Sequence, residues 1–403
     1  MEKILDIKKL NFLQMLLLVI ILYFVGIKKD YKYDELLIGL FSITVFLQKD
    51  FIERLKELRK DRDLKVLVGL IVINITLFVH NYYIVFKENS YIFDVRVEWL
   101  SSIILKAFFL FLLIILMKIK YKERYLIFLS AATCIPITKI FNYGIEIEFK
   151  HRIRGMWSNP NYVGFYLGMA FLLALILAIE SKRRLYKIIF GLISMISFFE
   201  IIVITKSRNA LLGVFISVVA LCLLKLKNNK KYIVYMISTF PIIVLFLIKT
   251  KSRILTLLNW NILKKNERIT IYLKGVELIK ETDTLFLGKG FNYFYNNKIV
   301  SNSGIEAFHN EWLELIINQG LIGVLAYGFL YFFILYMLIK KYKENSKNNL
   351  IIFGILVWIY LFVLGLFDNT IGGGRVFEIA FIIFGIVLNK EFIPGKLEEL
   401  KDE

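Results

Sequence analysis

Apolar runs recur along the chain at about 10-27, 35-48, 65-86, 100-118, 125-142, 161-179, 189-205, 209-224, 232-249, 320-339, 350-368 and 376-389. Each approaches the ~20 residues that an α-helix needs to cross a bilayer. The runs are continuous, as in "NYVGFYLGMAFLLALILAIE" at 161-180, where a membrane β-barrel would show short alternating segments. The pattern predicts an all-α polytopic membrane protein with about 12 transmembrane helices, one integral-membrane domain over 1-403. The first run is too long for a signal-peptide core and no small-residue cleavage site follows it, so it is expected to remain as the first span.

The turns between runs set the orientation. "KDFIERLKELRKDRDLK", "KIKYKER", "SKRRLYK", "KLKNNKK" and "KKYKENSKNN" are rich in lysine and arginine and alternate with poorer connections such as "KENSYIFDVRVEWL" and "DNTIGGGRV". Positive loops stay in the cytoplasm. Both termini are then expected inside, and residues 250-319 form one long extracytoplasmic loop between spans 9 and 10.

Composition agrees with this reading, at 58% hydrophobic residues and a mean hydropathy of +0.64. No ordinary soluble domain has that balance. The formal charge of +19 is distributed in clusters between spans and forms no single patch, so nucleic acid is not an expected partner. Cys134 and Cys222 lie inside apolar runs, which argues against a disulfide or a thiolate metal site.

Long loops on a rigid scaffold usually carry function. In "ERITIYLKGVELIKE", Ile269, Tyr272, Leu273, Val276 and Ile279 share one apolar helical face, predicting an amphipathic helix at the membrane surface. Gly288 and Gly290 in "LFLGKGFNYF" allow a tight turn. "AFHNEWLELIINQGLIG" then predicts a helix that Gly320 ends, with His309, Trp312, Ile316 and Gln319 on an apolar, membrane-facing stripe. Gly164 and Gly168 form a GxxxG that predicts close helix packing.

Lys106, Lys139, Glu200 and Glu378 lie within apolar runs, where charge is costly and usually functional. Each falls within about six residues of the outer end of its span, or about 9 Å at 1.5 Å per residue. A polar cavity open to the outside is the simplest inference, with snorkelling as the alternative for the lysines. The outer connections add His151, Arg152, Arg154, Lys206, Arg208, Arg268 and Arg375. Arg208 sits in a connection of only a few residues, where a partly desolvated guanidinium suits a phosphate; a lipid headgroup or a neighbouring carboxylate would also satisfy it.

Among the three histidines, His80 late in span three suits a core or interface position, and His151 suits a surface or an anion contact. His309 can act as a proton acceptor in its neutral form, or it can simply begin a helix. HExxH, CxxC and Walker patterns are absent. The "DRD" at 61-63 resembles the metal-binding acidic pair of nucleotide-sugar transferases but lies in a basic cytoplasmic loop and reads as a solvated face; the "GGG" at 372-374 could form a backbone anion nest but reads as a mobile loop, and Asp30, Asp34 and Glu35 are potential bases or metal ligands with only position in their favour. No metal site and no cofactor is expected.

The order "RIRGMWSNPN", "SRNALLG", "ERITIY", "LFLGKGFNYF", "HNEWLELIINQGLIG" resembles the O-antigen ligases and O-antigen polymerases of bacterial envelopes over residues 150-325. The resemblance implies a metal-independent, inverting glycosyltransferase at the outer face of the inner membrane. Its donor would be an undecaprenyl-diphosphate-linked glycan and its acceptor lipid A core or another lipid-linked repeat unit, with membrane lipids as surroundings. Arg208, Arg268 and His309 match the family's catalytic arginines and histidine; Tyr272 stands where family ligases often carry tryptophan.

Arginines placed where diphosphate charge develops lower the barrier. Arg208 and Arg268, helped by Arg154, suit that task; Tyr272 and Asn310 join Arg154 as expected substrate contacts. His309 would orient or deprotonate the acceptor hydroxyl. A flippase or transporter of lipid-linked oligosaccharide is the alternative. Transporter sites favour the midplane on broken helices, whereas these charges crowd one face.

Overall fold

The computed structural model describes residues 7-27, 31-48, 51-88, 95-117, 160-226, 267-280, 282-290, 308-371 and 375-389. Helix is the regular secondary structure throughout these residues. The first five helices are α1 (Ile7–Ile27), α2 (Tyr31–Phe46), α3 (Phe51–Lys60), α4 (Arg62–Glu88) and α5 (Val95–Leu116). There follow α6 (Pro160–Glu180), α7 (Arg184–Phe199), a π-helical turn (Glu200–Thr205) and α8 (Arg208–Leu226). Two further helices are α9 (Glu267–Ile279) and α10 (Thr282–Leu287), and the C-terminal set is α11 (Glu311–Glu344), α12 (Asn349–Phe367) and α13 (Arg375–Leu388).

Ten of the twelve apolar runs fall on these helices; those at 125-142 and 232-249 lie outside the described residues, as do Lys139, His151, Arg154 and Cys134. Among the described residues, six helices are long and apolar enough to cross a membrane: Arg62–Asn81, Asn161–Ile179, Arg184–Val203, Arg208–Lys225, Glu311–Glu344 and Asn349–Phe367. Shorter apolar helices lie at Phe12–Leu22, Glu35–Phe46 and Ile104–Leu116.

Helix α12 is apolar on every side and lies inside the bundle, as a helix without a polar face must. It begins at Asn348, whose Oδ1 accepts the Leu350 and Ile351 backbone N–H groups at 3.0 and 3.4 Å. The predicted GxxxG does bring helices close. A Cβ at Gly164 would strike Ser207 and one at Gly168 would strike Tyr360, so α6 packs against the start of α8 and against α12. The Tyr360 ring edge also lies against Gly213 of α8, and its hydroxyl donates to the Gly164 carbonyl at 3.2 Å.

One end of the bundle gathers basic side chains and helix C-termini. Arg54 Nη1 donates to the Met117 carbonyl at 2.5 Å, and Asn389 Nδ2 donates to the Ile114 and Met117 carbonyls at 2.6 and 2.8 Å. Lys341 Nζ donates to the Leu388 carbonyl at 3.0 Å, and the Tyr342 hydroxyl to the Leu224 carbonyl at 2.8 Å. The final carbonyls of a helix have no partner in that helix and carry its negative dipole end. Here α5, α8 and α13 find donors at the same end, two of them cationic (Arg54 and Lys341) and two neutral (Asn389 and Tyr342).

Asp63 pairs with Lys340 there at 2.6 Å and Asp61 Oδ1 accepts the Leu64 N–H at 3.1 Å, which accounts for the "DRD" stretch structurally. Gln48 at the end of α2 donates to Gln14 near the start of α1 at 2.7 Å, placing the start of α1 at this end too.

Candidate functional site

The opposite end collects the beginnings of α6, α8, α11 and α13 and the end of α12. Helix α11 starts with Asn310 as its cap: Oδ1 accepts the Leu313 N–H at 2.9 Å, while Nδ2 donates to the Leu366 carbonyl at 3.0 Å. One asparagine thus caps α11 and ties it to the end of α12. His309 stands one residue before the cap at φ 52°, a left-handed conformation that is rare outside glycine.

That conformation corrects the expected membrane-facing stripe. His309 is not a helical residue, so i+3 and i+7 relations do not govern its direction. Its ring turns into the bundle, with Nδ1 3.0 Å from Asp368 Oδ1 and side-chain exposures of 23% for His309 and 1% for Asp368. The Tyr272 hydroxyl, on α9, donates to the His309 backbone carbonyl at 3.1 Å.

Asp368 is the residue that sequence reasoning missed. Its backbone is extended as α12 ends, its Oδ1 also accepts the Asn369 N–H at 3.0 Å, and its Oδ2 accepts Asn161 Nδ2 at 2.8 Å and Asn209 Nδ2 at 3.5 Å. Asn161 belongs to "SNPN" at the start of α6, Asn209 to "SRN" at the start of α8, and His309 to "HNEW". Three of the quoted motifs therefore meet on one buried carboxylate. An acid ending the 19-residue apolar helix α12 was the available signal.

Arg208 is the first residue of α8 and is exposed, beside Asn209 of the Asp368 cluster. Lys206 at φ 50° turns the chain between the π-helical turn and α8, and buried Ser207 follows, with Oγ accepting the Ala210 N–H at 3.4 Å. Arg268 lies one turn before Tyr272 on α9; its side chain is outside the described residues, and Arg154 is outside them altogether. The structure thus brings His309, Asn310 and Tyr272 together and sets Arg208 next to their shared cluster.

The segment from α9 to the start of α11 is anchored by a small core of its own. Ile271, Phe308 and Ile317 are buried together, with Leu278, Ile279, Leu313 and Ile316 packed around them. This partly corrects the predicted face of α9: Ile271 and Gly275 point inward, while Leu273 and Val276 are 60% and 48% exposed. The turn after α10 docks on α11, where Lys289 N–H donates to the Ile317 carbonyl at 2.7 Å and Gly290 N–H to the Asn318 carbonyl at 2.9 Å. Gly320, at φ 66° and ψ −172°, breaks α11 at this point, and a Cβ on it would collide with the Phe286 backbone.

Of the four intramembrane charges, Lys106 is paired with Glu35 at 2.9 Å, while Glu200 in the π-helical turn and Glu378 in the first turn of α13 are buried. Arg375, at the first position of α13, is buried too. His80 is exposed on α4, not in the core. Cys222 is buried.

Fold and site define a multi-pass helical membrane protein with a polar, histidine-bearing centre at one end of the bundle. Residues 193-328 match the family model described as O-antigen ligase, which supports the resemblance to O-antigen ligases and polymerases read from the motifs. Arg208, Arg268, Tyr272, His309 and Asn310 fall inside the matched residues; Asn161 and Asp368 lie outside them. No curated protein matches the chain.

Proposed function

We propose that the chain transfers a glycan from a polyprenyl diphosphate, undecaprenyl diphosphate in bacteria, to an acceptor hydroxyl at the outer face of the inner membrane. The acceptor is lipid A core or another lipid-linked repeat unit. The observation that carries this reading is the convergence of three motifs on the His309–Asp368 pair within a chain that matches the O-antigen ligases.

Asp368 accepts the hydrogen bond from His309 Nδ1–H, which leaves Nε2 as the basic nitrogen. As the acceptor oxygen attacks the anomeric carbon, its proton passes to Nε2. The bond from that carbon to the phosphate oxygen breaks and its electron pair leaves with the lipid diphosphate. Arg208 and Arg268 meet the charge that develops on the diphosphate, so the step requires no metal. Attack opposite the leaving group inverts the anomeric centre.

Basic residues and capped C-termini at the far end, among them Arg54, Lys340 and Lys341, support the cytoplasmic assignment of that end and the outer assignment of the site. The starts of α1 and the end of α13 at the basic end support cytoplasmic termini.

The test is reconstitution of the purified chain with lipid-linked donor and acceptor, scoring release of lipid diphosphate. Release is expected, and is expected to be lost in His309→Ala and Arg208→Ala. A flippase or transporter would release none. Product that lengthens as a ladder marks a polymerase, and capping onto a lipid core marks a ligase.

A further inference from the structure

We propose that the cleft between α4 and α11 at the basic end of the bundle binds one zwitterionic aminophospholipid from the surrounding bilayer. Arg62 and Lys340 hold its phosphate, Asp61 and Asp63 its ammonium, and Val66, Tyr336 and Phe333 lie along its acyl chain. The inference is independent of the transfer reaction and concerns the end of the molecule remote from His309.

The cleft has a volume of about 570 Å³ and is walled by α4, with Asp61 just before it, and by α11. Small-molecule sites occupy about 300–1,000 Å³. Both walls belong to segments long and apolar enough to span, Arg62–Asn81 and Glu311–Glu344. Val66 is 42% exposed and Tyr336 49% exposed on those walls. Apolar surface open at that level of a spanning helix meets lipid, so the occupant is drawn from the bilayer.

Polarity changes along the cleft in the order in which a lipid presents it. Asp61, Arg62, Asp63 and Lys340 form a charged rim. Val66 lies one turn further along α4, and Tyr336 one turn before Lys340 on α11. Phe333 is seven residues before Lys340, about 10 Å deeper at 1.5 Å per residue. Its ring centroid stands 5.5 Å from that of Tyr336, so the two rings make one continuous apolar surface below the rim.

The rim carries two acids and two bases. Lys340 Nζ donates to Asp63 Oδ2 at 2.6 Å, joining α11 to α4, and is still 51% exposed. Asp61 Oδ1 accepts the Leu64 N–H at 3.1 Å, which orients its carboxylate, and Arg62 is exposed beside it. A carboxylate accepts at about four positions and an ammonium donates from three, so a bound ammonium joins these bonds without replacing them. A rim without net charge gives an anionic headgroup no net attraction, whereas a zwitterion finds a partner for each of its charges. The guanidinium of Arg62 matches a phosphate with two parallel N–H donors. A trimethylammonium has no N–H for the acids, which favours a primary ammonium.

The experiment titrates the purified full chain in detergent with phosphatidylethanolamine, phosphatidylcholine or phosphatidylglycerol of identical acyl chains, reading bound lipid by native mass spectrometry. One ethanolamine lipid per chain is expected to bind about tenfold or more tightly than either of the others. Asp61→Asn keeps an oxygen for the Leu64 N–H but removes the charge, and should bring the ethanolamine and choline lipids within about twofold of each other. Arg62→Gln should weaken both by about threefold or more.

Equal binding of the three lipids to the wild type, within about twofold, overturns the proposal and leaves only a lipid-coated surface. A preference for the glycerol lipid overturns it in favour of an anion site, and an ethanolamine preference retained in D61N overturns the assignment of Asp61. Should D61N not fold, mono- and dimethylated ethanolamine lipids test the wild type directly. Affinity should fall with each N–H replaced by methyl, and a flat series overturns the proposal.

Discussion

His309 Nδ1 lies 3.0 Å from Asp368 Oδ1 across 59 residues of chain, because α11 begins beside the point where α12 ends. Asn310 holds that junction from one side by bonding the Leu366 carbonyl, and Tyr272 holds it from the other by bonding the His309 carbonyl. The imidazole is thereby fixed in a left-handed backbone conformation that the local sequence alone disfavours. Strain of this kind persists where surrounding structure over-determines it.

Asp368→Asn is expected to lower kcat at least about tenfold with little change in KM, because the amide can present a donor to Nδ1 and select the wrong tautomer. Steady-state kinetics on reconstituted protein reads this. Asp368→Ala adds a stability loss of about 1–3 kcal/mol, since the buried Asn161 amide loses its Asp368 acceptor, and a lowered Tm in detergent checks it.

Gly320→Ala and Gly288→Ala are each expected to impair transfer without touching substrate. Both glycines have positive φ, and a Cβ at either would meet backbone of the opposing segment, Phe286 and Leu287 for Gly320, Asn318 and Gln319 for Gly288. Relieving such a clash displaces the α10 turn from α11, and each variant should lose about 1–3 kcal/mol of stability. Proteolysis within 282-290 should accelerate in both; unchanged protection and activity would count against the interlock.

Asn389→Ala is expected to separate stability from chemistry. Its buried side chain donates to three carbonyls at the end of α5, those of Ile114, Ile115 and Met117, at the end remote from His309. Losing those donors should cost about 1–3 kcal/mol. Transfer per folded molecule should be unchanged when activity is normalised to the monodisperse fraction.

Tyr272→Phe is expected to reduce transfer modestly, by about 1 kcal/mol in barrier or a few-fold in kcat, because one hydrogen bond to the His309 carbonyl is lost while the ring remains. A kinetic comparison with Tyr272→Ala distinguishes the bond from the packing, since alanine removes both.

Runs of apolar residues near bilayer length settled the helical, membrane-spanning class, because a backbone in hydrocarbon must satisfy its own hydrogen bonds. Glycines at 164, 168, 288 and 320 were legible as packing and turn positions for a similarly local reason: absence of Cβ is a property of the residue itself. The position of His309 in the chain was legible too, but its direction was not. A helical stripe predicted lipid, and the left-handed turn before the Asn310 cap sent the ring into the bundle.

Asp368, Asn161 and Asn209 carry no signal of partnership in their own segments. Their meeting depends on α6, α8 and α12 presenting particular ends to one another, and those contacts are set by side-chain fit over hundreds of residues of separation. The face of α9 was decided the same way, by Phe308 and Ile317 packing against Ile271 and Gly275 instead of by the periodicity of α9 alone. Periodicity and burial preference are local and so are written in the chain; which buried polar groups share one carboxylate is a matter of packing, and only the assembled bundle decides it.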